Sequence, residues 1–243
     1  MIAISIENLS KKFEQKIAVD DLNLEINEGE LFSLLGVNGA GKTTTIKMLS
    51  CLIKPTHGDA KLLGYSIISE SDRVKSIINI SPQETAVALN LTVKENLKFI
   101  AELYGIKKQE AVSETERILN VFSLNEVADS KAKILSGGMQ RRLSIAMALI
   151  TSPKILFLDE PTLGLDVIAR RELWKTIIEL KGKVTIILTT HYMEEAEALS
   201  DRVGIMANGK LKAIGTTEEL IRNTNANNFE DAFVKIASDE VTK

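Results

Sequence analysis

From Gly36 to Thr43 the chain reads Gly-Val-Asn-Gly-Ala-Gly-Lys-Thr. This fills every specified position of the phosphate-binding pattern G-x-x-x-x-G-K-[ST]. Glycines let a backbone curl until its N–H groups converge on an anion. In this stretch Gly36, Asn38, Gly39, Ala40 and Gly41 form the cradle, and Thr44 opens a helix whose first amides add to it. Lys42 supplies a cation for the β- and γ-phosphates, and the Thr43 hydroxyl a ligand for Mg²⁺. The flanks agree: Glu30–Leu35 reads as a short buried strand and Thr44–Leu49 as the start of a helix. The stretch predicts a nucleotide-binding loop.

Other residues fit the same chemistry. Ile155–Leu158 is an apolar strand that ends in Asp159 and Glu160. On a strand these two side chains alternate, which predicts separate tasks. Asp159 suits a Mg²⁺-holding role with Thr43, and Glu160 suits a general base toward water attacking the γ-phosphate. Taken alone the pair reads as well as a solvated turn before Pro161; the phosphate loop tips the balance. Gln83 is expected at the end of its strand, where its amide can reach Mg²⁺ and the attacking water. His191 is expected at the end of Val184–Thr190, in reach of the γ-phosphate.

Leu135-Ser136-Gly137-Gly138-Met139-Gln140 precedes a helix and forms a second anion site, with Ser136 able to cap the helix and two uncovered glycine amides. One nucleotide needs one cradle, so a second cradle points to another subunit's nucleotide. Asp166 either caps the helix that follows or belongs to the site. Phe13, an aromatic in a polar connection, is either a staple over the sheet or a platform for a flat base. The turn residue His57 reads as structural.

The elements that must position these residues form an alternating α/β pattern. Residues 1–26 read as two antiparallel strands joined by Leu9–Lys16. A strand is expected at Ala60–Leu63 and another at Ile77–Ile80. From Thr92 to Asn120, Val93, Leu97, Ile100, Leu103 and Tyr104 recur at helical spacing. Strands at Ile155–Leu158, Val184–Leu188 and Arg202–Met206 alternate with helices at Val167–Leu180 and Tyr192–Leu199, which implies a parallel sheet with crossover helices. Asn208-Gly209 marks a tight hairpin, and Phe229, Phe233 and Ile236 a short amphipathic helix.

The 243 residues carry a formal net charge of −3, with 26% charged and 44% hydrophobic side chains. Such a balance gives no charge-driven reason to expect direct nucleic-acid binding. The single cysteine, Cys51, excludes an internal disulfide and suits a reducing compartment. No run approaches the roughly 18 apolar residues of a spanning helix, so a membrane role is expected through a partner.

In this order, GVNGAGKT, the Gln83 loop, LSGGMQ, ILFLDE, Gly164-Leu165-Asp166 and His191 resemble the ATP-binding subunits of ABC transporters, over essentially the whole chain. The resemblance implies an α/β fold: a P-loop NTPase core with a mainly parallel sheet, an N-terminal antiparallel β subdomain and an inserted α-helical subdomain. Within a single ATPase domain the core would take 1–83 and 151–220, the helical and signature subdomain 84–150, and a helical tail 221–243. It implies ATP and Mg²⁺ as ligands, and a head-to-tail homodimer or pseudo-dimer in which Ser136, Gly137 and Gly138 meet the partner's γ-phosphate. Asp166 would fall at that interface, Phe13 would stack on adenine where the family usually has Tyr, and Gln83 would couple the site to the helical subdomain. Transmembrane permease subunits would dock on that subdomain and hold the chain at the cytoplasmic face of the membrane. Thr190–Glu197 and Phe229–Phe233 are similar to exporters of the ABC-2 type. A soluble ATPase of Fe–S assembly is the alternative.

Overall fold

Strands that are apolar on both faces, such as Leu31-Phe32-Ser33-Leu34-Leu35, are satisfied only in a sheet covered on both sides. The computed structural model, which describes residues 1–238, builds that sheet at its centre. The chain opens with β1 (Ile2–Phe13) and β2 (Lys16–Asn27), then β3 (Leu31–Leu35) and α1 (Lys42–Leu49). Next come β4 (His57–Leu62), β5 (Tyr65–Ser66), α2 (Ser71–Ile77) and β6 (Ile78–Ser81). A helical segment holds α3 (Val93–Leu103), α4 (Lys108–Val121) and α5 (Gly137–Leu149). The α/β alternation resumes with β7 (Ile155–Asp159), α6 (Val167–Leu180), β8 (Thr185–Thr190), α7 (Met193–Leu199) and β9 (Arg202–Ala207). Strand β10 (Lys210–Gly215) and helices α8 (Thr217–Asn223) and α9 (Phe229–Ala237) follow. Residues 239–243 of the expected tail lie outside the described residues.

The central sheet has the order β10-β9-β3-β8-β7-β6. All its pairs are parallel except β9 with β10. Side-chain alternation divides its two faces between two cores. Leu156, Leu158, Ile186 and Leu188 pack with the helices α3–α6. Phe157, Ile187, Phe32 and Leu34 pack with α1 and the separate antiparallel sheet β2-β1-β4-β5. The P-loop NTPase α/β architecture expected from the sequence is therefore present.

Several local expectations are corrected. Leu9–Lys16 is not a loop: β1 and β2 run as a long twisted hairpin turning at Glu14-Gln15, with register shifts that accommodate the polar residues. The helical stretch 92–120 is broken at Tyr104–Lys107, where Gly105 takes a φ of 78° and ends α3. Helices α2 and α8 are short, seven residues each, with too few turns to show a periodic signal.

Candidate nucleotide site

The parallel strands β3, β6, β7 and β8 all deliver their C-terminal ends to one edge of the sheet, where ligands of open α/β sheets gather. After β3 the chain turns at Gly36 and enters α1 through Gly41. A Cβ on Gly36 would run into the carbonyl oxygen of Met206, and Gly41 has a φ of 110° with the Ala18 carbonyl where its Cβ would stand. Only glycine fits either position. Helix α1 has no side-chain cap and no acid in its first turn, so its amides remain free for an anion.

A cleft of about 500 Å³ opens over this loop. Asn38, Gly39, Ala40, Gly41, Lys42, Thr43 and Thr44 line it together with Gln83, Glu160 and His191. Phe13 lines it as well, 46% exposed, with the Lys11 ammonium 5.0 Å from its ring centre. The ring is therefore open to the cleft and leaves room for a flat group against it. Lys16, Ala18 and Leu163 also line the cleft, and nothing in their sequence context marks them.

Lys42 is buried and donates to the Gly36 carbonyl at 2.7 Å, with Glu160 Oε1 3.6 Å away. Burial lowers its ammonium below the ordinary lysine range, against the pull of Glu160 and Asp159. Glu160 lies beyond the end of β7, at a φ of 47°, its amide bonded to Thr189. The alternation expected for Asp159 and Glu160 does not hold, because that left-handed turn brings both carboxylates to the phosphate loop. A non-glycine residue held there stores strain of order 1–3 kcal/mol. Glu160 Oε2 stands 3.2 Å from His191 Nδ1, close but not aligned as a hydrogen bond.

The Thr43 hydroxyl donates to Asp159 Oδ1 at 3.1 Å, and Thr189 donates to the same oxygen. Hydroxyl and carboxylate oxygens side by side suit a hard dication that keeps several waters. Thr43 and Asp159 therefore fit Mg²⁺, with the Gln83 amide in the same cleft; among the described residues no group of three acidic, His or Cys side chains forms a closed metal cage. Gln83 sits two residues past β6, exposed, and not at the strand end.

The second cradle is elsewhere. Ser136 caps α5, accepting from the Met139 amide at 3.2 Å. Asp166 caps α6 by accepting from the Ile168 and Ala169 amides, both at 2.9 Å. Ser136, Gly137, Gly138 and Asp166 are all absent from the cleft wall. Gly138 packs so closely on α6 that a Cβ would stand 2.8 Å from that of Ala169. Val167 and Ile168, in the first turn of α6, are largely exposed.

Two buried groups behind the cleft escaped the sequence reading. Arg141, 3% exposed, donates from Nε to the Pro161 carbonyl and from Nη2 to that of Asp159, both at 2.8 Å. Its Nη1 serves the carbonyls of Pro82 and Gln83. Burial pulls its pKa down to about 10, with Asp159, Glu195 and Glu160 opposing, so it is charged at neutral pH. Glu195, fully buried in α7, accepts from the Trp174 indole at 3.1 Å. Burial pushes its carboxyl above the usual carboxylate range, against the pull of the nearby Thr190 and Thr162, the Trp174 hydrogen bond and the Arg170 charge. Arg170 stacks over the rings of Trp174 and Tyr192. The sole signal for either residue was a charge on an otherwise apolar helix face.

Comparison with known proteins agrees with this geometry. The ABC transporter family model matches residues 19–163. The phospholipid-transporting ATPase ABCA3 of Homo sapiens is 44% identical over 218 residues, which are 88% of this chain and 13% of that much longer protein. A solved ATP-binding subunit of an ABC transporter superposes with a TM-score of 0.85 at 29% identity, covering 96% of this chain and 99% of that one. A second solved cassette, dimeric in a post-hydrolysis state with ADP and Pi, gives 0.77 at 27% identity over 88% of this chain and 98% of its own. With the phosphate loop, the paired carboxylates and the capped Ser-Gly-Gly helix in place, the chain belongs to the ABC transporter family and is built as its ATP-binding ATPase domain.

Proposed function

We propose that this chain is the ATP-hydrolysing motor of an ABC transporter, an exporter of the ABC-2 type. It works as a pair in which each ATP lies between the Gly36–Thr43 loop of one copy and Ser136–Gly138 of the other. The separation of the two cradles carries this reading: the capped α5 N-terminus presents exposed amides that its own cleft does not use. The exposed Val167 and Ile168 beside Asp166 suit the same interface, and one solved relative is itself a dimer with ADP and Pi.

In this reading the base stacks on Phe13 and the phosphates rest on the loop amides and Lys42. Glu160 takes the proton of the water as its oxygen bonds to the γ-phosphorus and the bond to the bridging oxygen breaks; His191, beside Glu160, contacts the γ-phosphate. Thr43, Asp159 and Gln83 would hold Mg²⁺, which neutralises phosphate charge when bound. Residues 84–150 act as a helical subdomain between the core of 1–83 and 151–220, with 221–243 as a tail. A groove of about 110 Å³ between α3, α5 and the residues after β6, rimmed by Pro82, Ala86 and Tyr104, supports docking of a membrane subunit there. Among the described residues no helix is long and apolar enough to cross a membrane, so that subunit or domain would hold the chain at the cytoplasmic face. Identity with a phospholipid-transporting ATPase supports an amphipathic cargo.

Two variants test the pairing. Lys42→Ala is expected to weaken ATP binding to the isolated chain. Ser136→Arg should leave that affinity nearly intact while abolishing ATP-driven dimerisation in sedimentation. Equal loss of affinity in both variants would overturn the shared site.

A further inference from the structure

Four carbonyls belonging to two different loops converge on one side chain. Arg141 lies in the first turns of α5, four residues after the exposed glycine pair begins. It binds Pro82 and Gln83 on one side, and Asp159 and Pro161 on the other. The loop after β6 carries the Gln83 amide into the cleft and forms the rim of the α3–α5 groove. The segment after β7 carries Glu160 in its strained turn. Among the described residues the two segments share no direct hydrogen bond; their common tie is the guanidinium.

We infer that Arg141 is a positioning residue that fastens the Gln83 loop and the Asp159–Pro161 segment to the signature helix, so that a shift of any one is imposed on the other two. The inference rests on the paired-site function proposed above. A guanidinium is a rigid planar fork of five donors, and here four of its contacts are fixed in directions that two loops must match at once. A lysine carries its donors on one freely rotating atom and cannot span both loops. Push Pro82 from the groove and the fork must tilt, carrying the Glu160 turn and the Ser136–Gly138 cradle with it. The close contact of Gly138 with Ala169 then passes the tilt to α6. Arg141 touches neither nucleotide nor water in this scheme; it sets where Gln83 and Glu160 stand.

The full chain and its Arg141→Lys and Arg141→Gln variants are compared in steady-state hydrolysis and in titration with MgATP, at a temperature where circular dichroism shows all three folded. A misplacement of catalytic groups by about 1 Å costs roughly 10²-fold in rate. Both variants should lose about that factor in kcat, with ATP affinity and KM within about threefold of the wild type, the signature of an interaction felt only in the transition state. Unchanged kcat, or kcat and affinity falling together, would overturn the inference. A second measurement needs no variant. At protein concentrations where the wild-type chain sediments as a monomer, MgATP should slow amide exchange at 83–85, at 160 and 162–163, and at 137–142 together. Protection confined to the phosphate loop would also overturn it. A wild-type chain that binds no ATP sinks the proposed function and this inference with it, whereas a hydrolysing wild type with indifferent variants sinks the inference alone.

Discussion

Glu160 shows how much chemistry rests on one backbone angle. Had β7 continued one residue further, its carboxylate would have pointed away from Asp159. The left-handed turn at φ 47° instead brings it to Lys42 and His191. Lys42 and Glu160 are both nearly buried, so their 3.6 Å separation acts in a poorly screened environment, and breaking such a pair exposes each charge to the cost of burial. General-base catalysis contributes roughly 10²–10⁴-fold to a rate. Glu160→Gln keeps the shape of the side chain and removes its basicity. Its kcat should fall by about that factor while ATP binding survives, and unchanged turnover of the purified variant would remove Glu160 from the role of base. The carboxylate was legible as chemistry because an Asp-Glu pair ended an apolar run. Its orientation was not, since one residue beyond a strand the two-residue period no longer applies.

At the scale of elements, the sequence announced those whose signal is local. The expected helix Val167–Leu180 coincides with α6, and the apolar run Ile155–Leu158 with all of β7 but its last residue. What stayed illegible is the pair of short helices α2 and α8, and whatever depends on distant partners: the carbonyls around Arg141 and the bed of α7. That last helix seats Glu195 against β8 and α6, where it meets Thr190, Thr162 and Trp174 with Arg170 and Arg141 as its neighbouring charges. Its raised carboxyl pKa has a definite sign. The folded chain holds this proton more tightly than the unfolded chain, so the contribution is complete below about pH 4.5 and is lost as pH rises through the higher folded value. Denaturant melts across that window should show stability falling with pH, and Glu195→Gln should flatten that part of the slope. An identical slope in the variant would mean that Glu195 does not titrate there.

At the scale of the whole molecule, the central sheet separates two cores and presents one functional edge. The helical side holds the Ser136–Gly138 helix start and the α3–α5 groove, the antiparallel side holds Phe13, Lys16 and Ala18, and the residues after β3, β6, β7 and β8 meet them around the cleft. Such a layout lets one side tilt against the other about the sheet edge, with Arg141 and the Gly138–Ala169 contact across the joint. It also places the chain's single tryptophan at that joint. Trp174 projects from α6, gives its indole hydrogen to Glu195 on α7 and has its ring centre 5.5 Å from the guanidinium of Arg170, which also stands over Tyr192 beside His191. Indole emission responds to the field and polarity around it, so this domain carries its own optical reporter between α6 and α7. Saturating MgATP should shift or quench the emission of the wild-type chain and leave that of Lys42→Ala unmoved. A spectrum blind to ATP in both would show α6 and α7 to be one rigid unit. If the emission does shift, each turnover becomes readable as a change of light from an unlabelled protein, with no dye to perturb it.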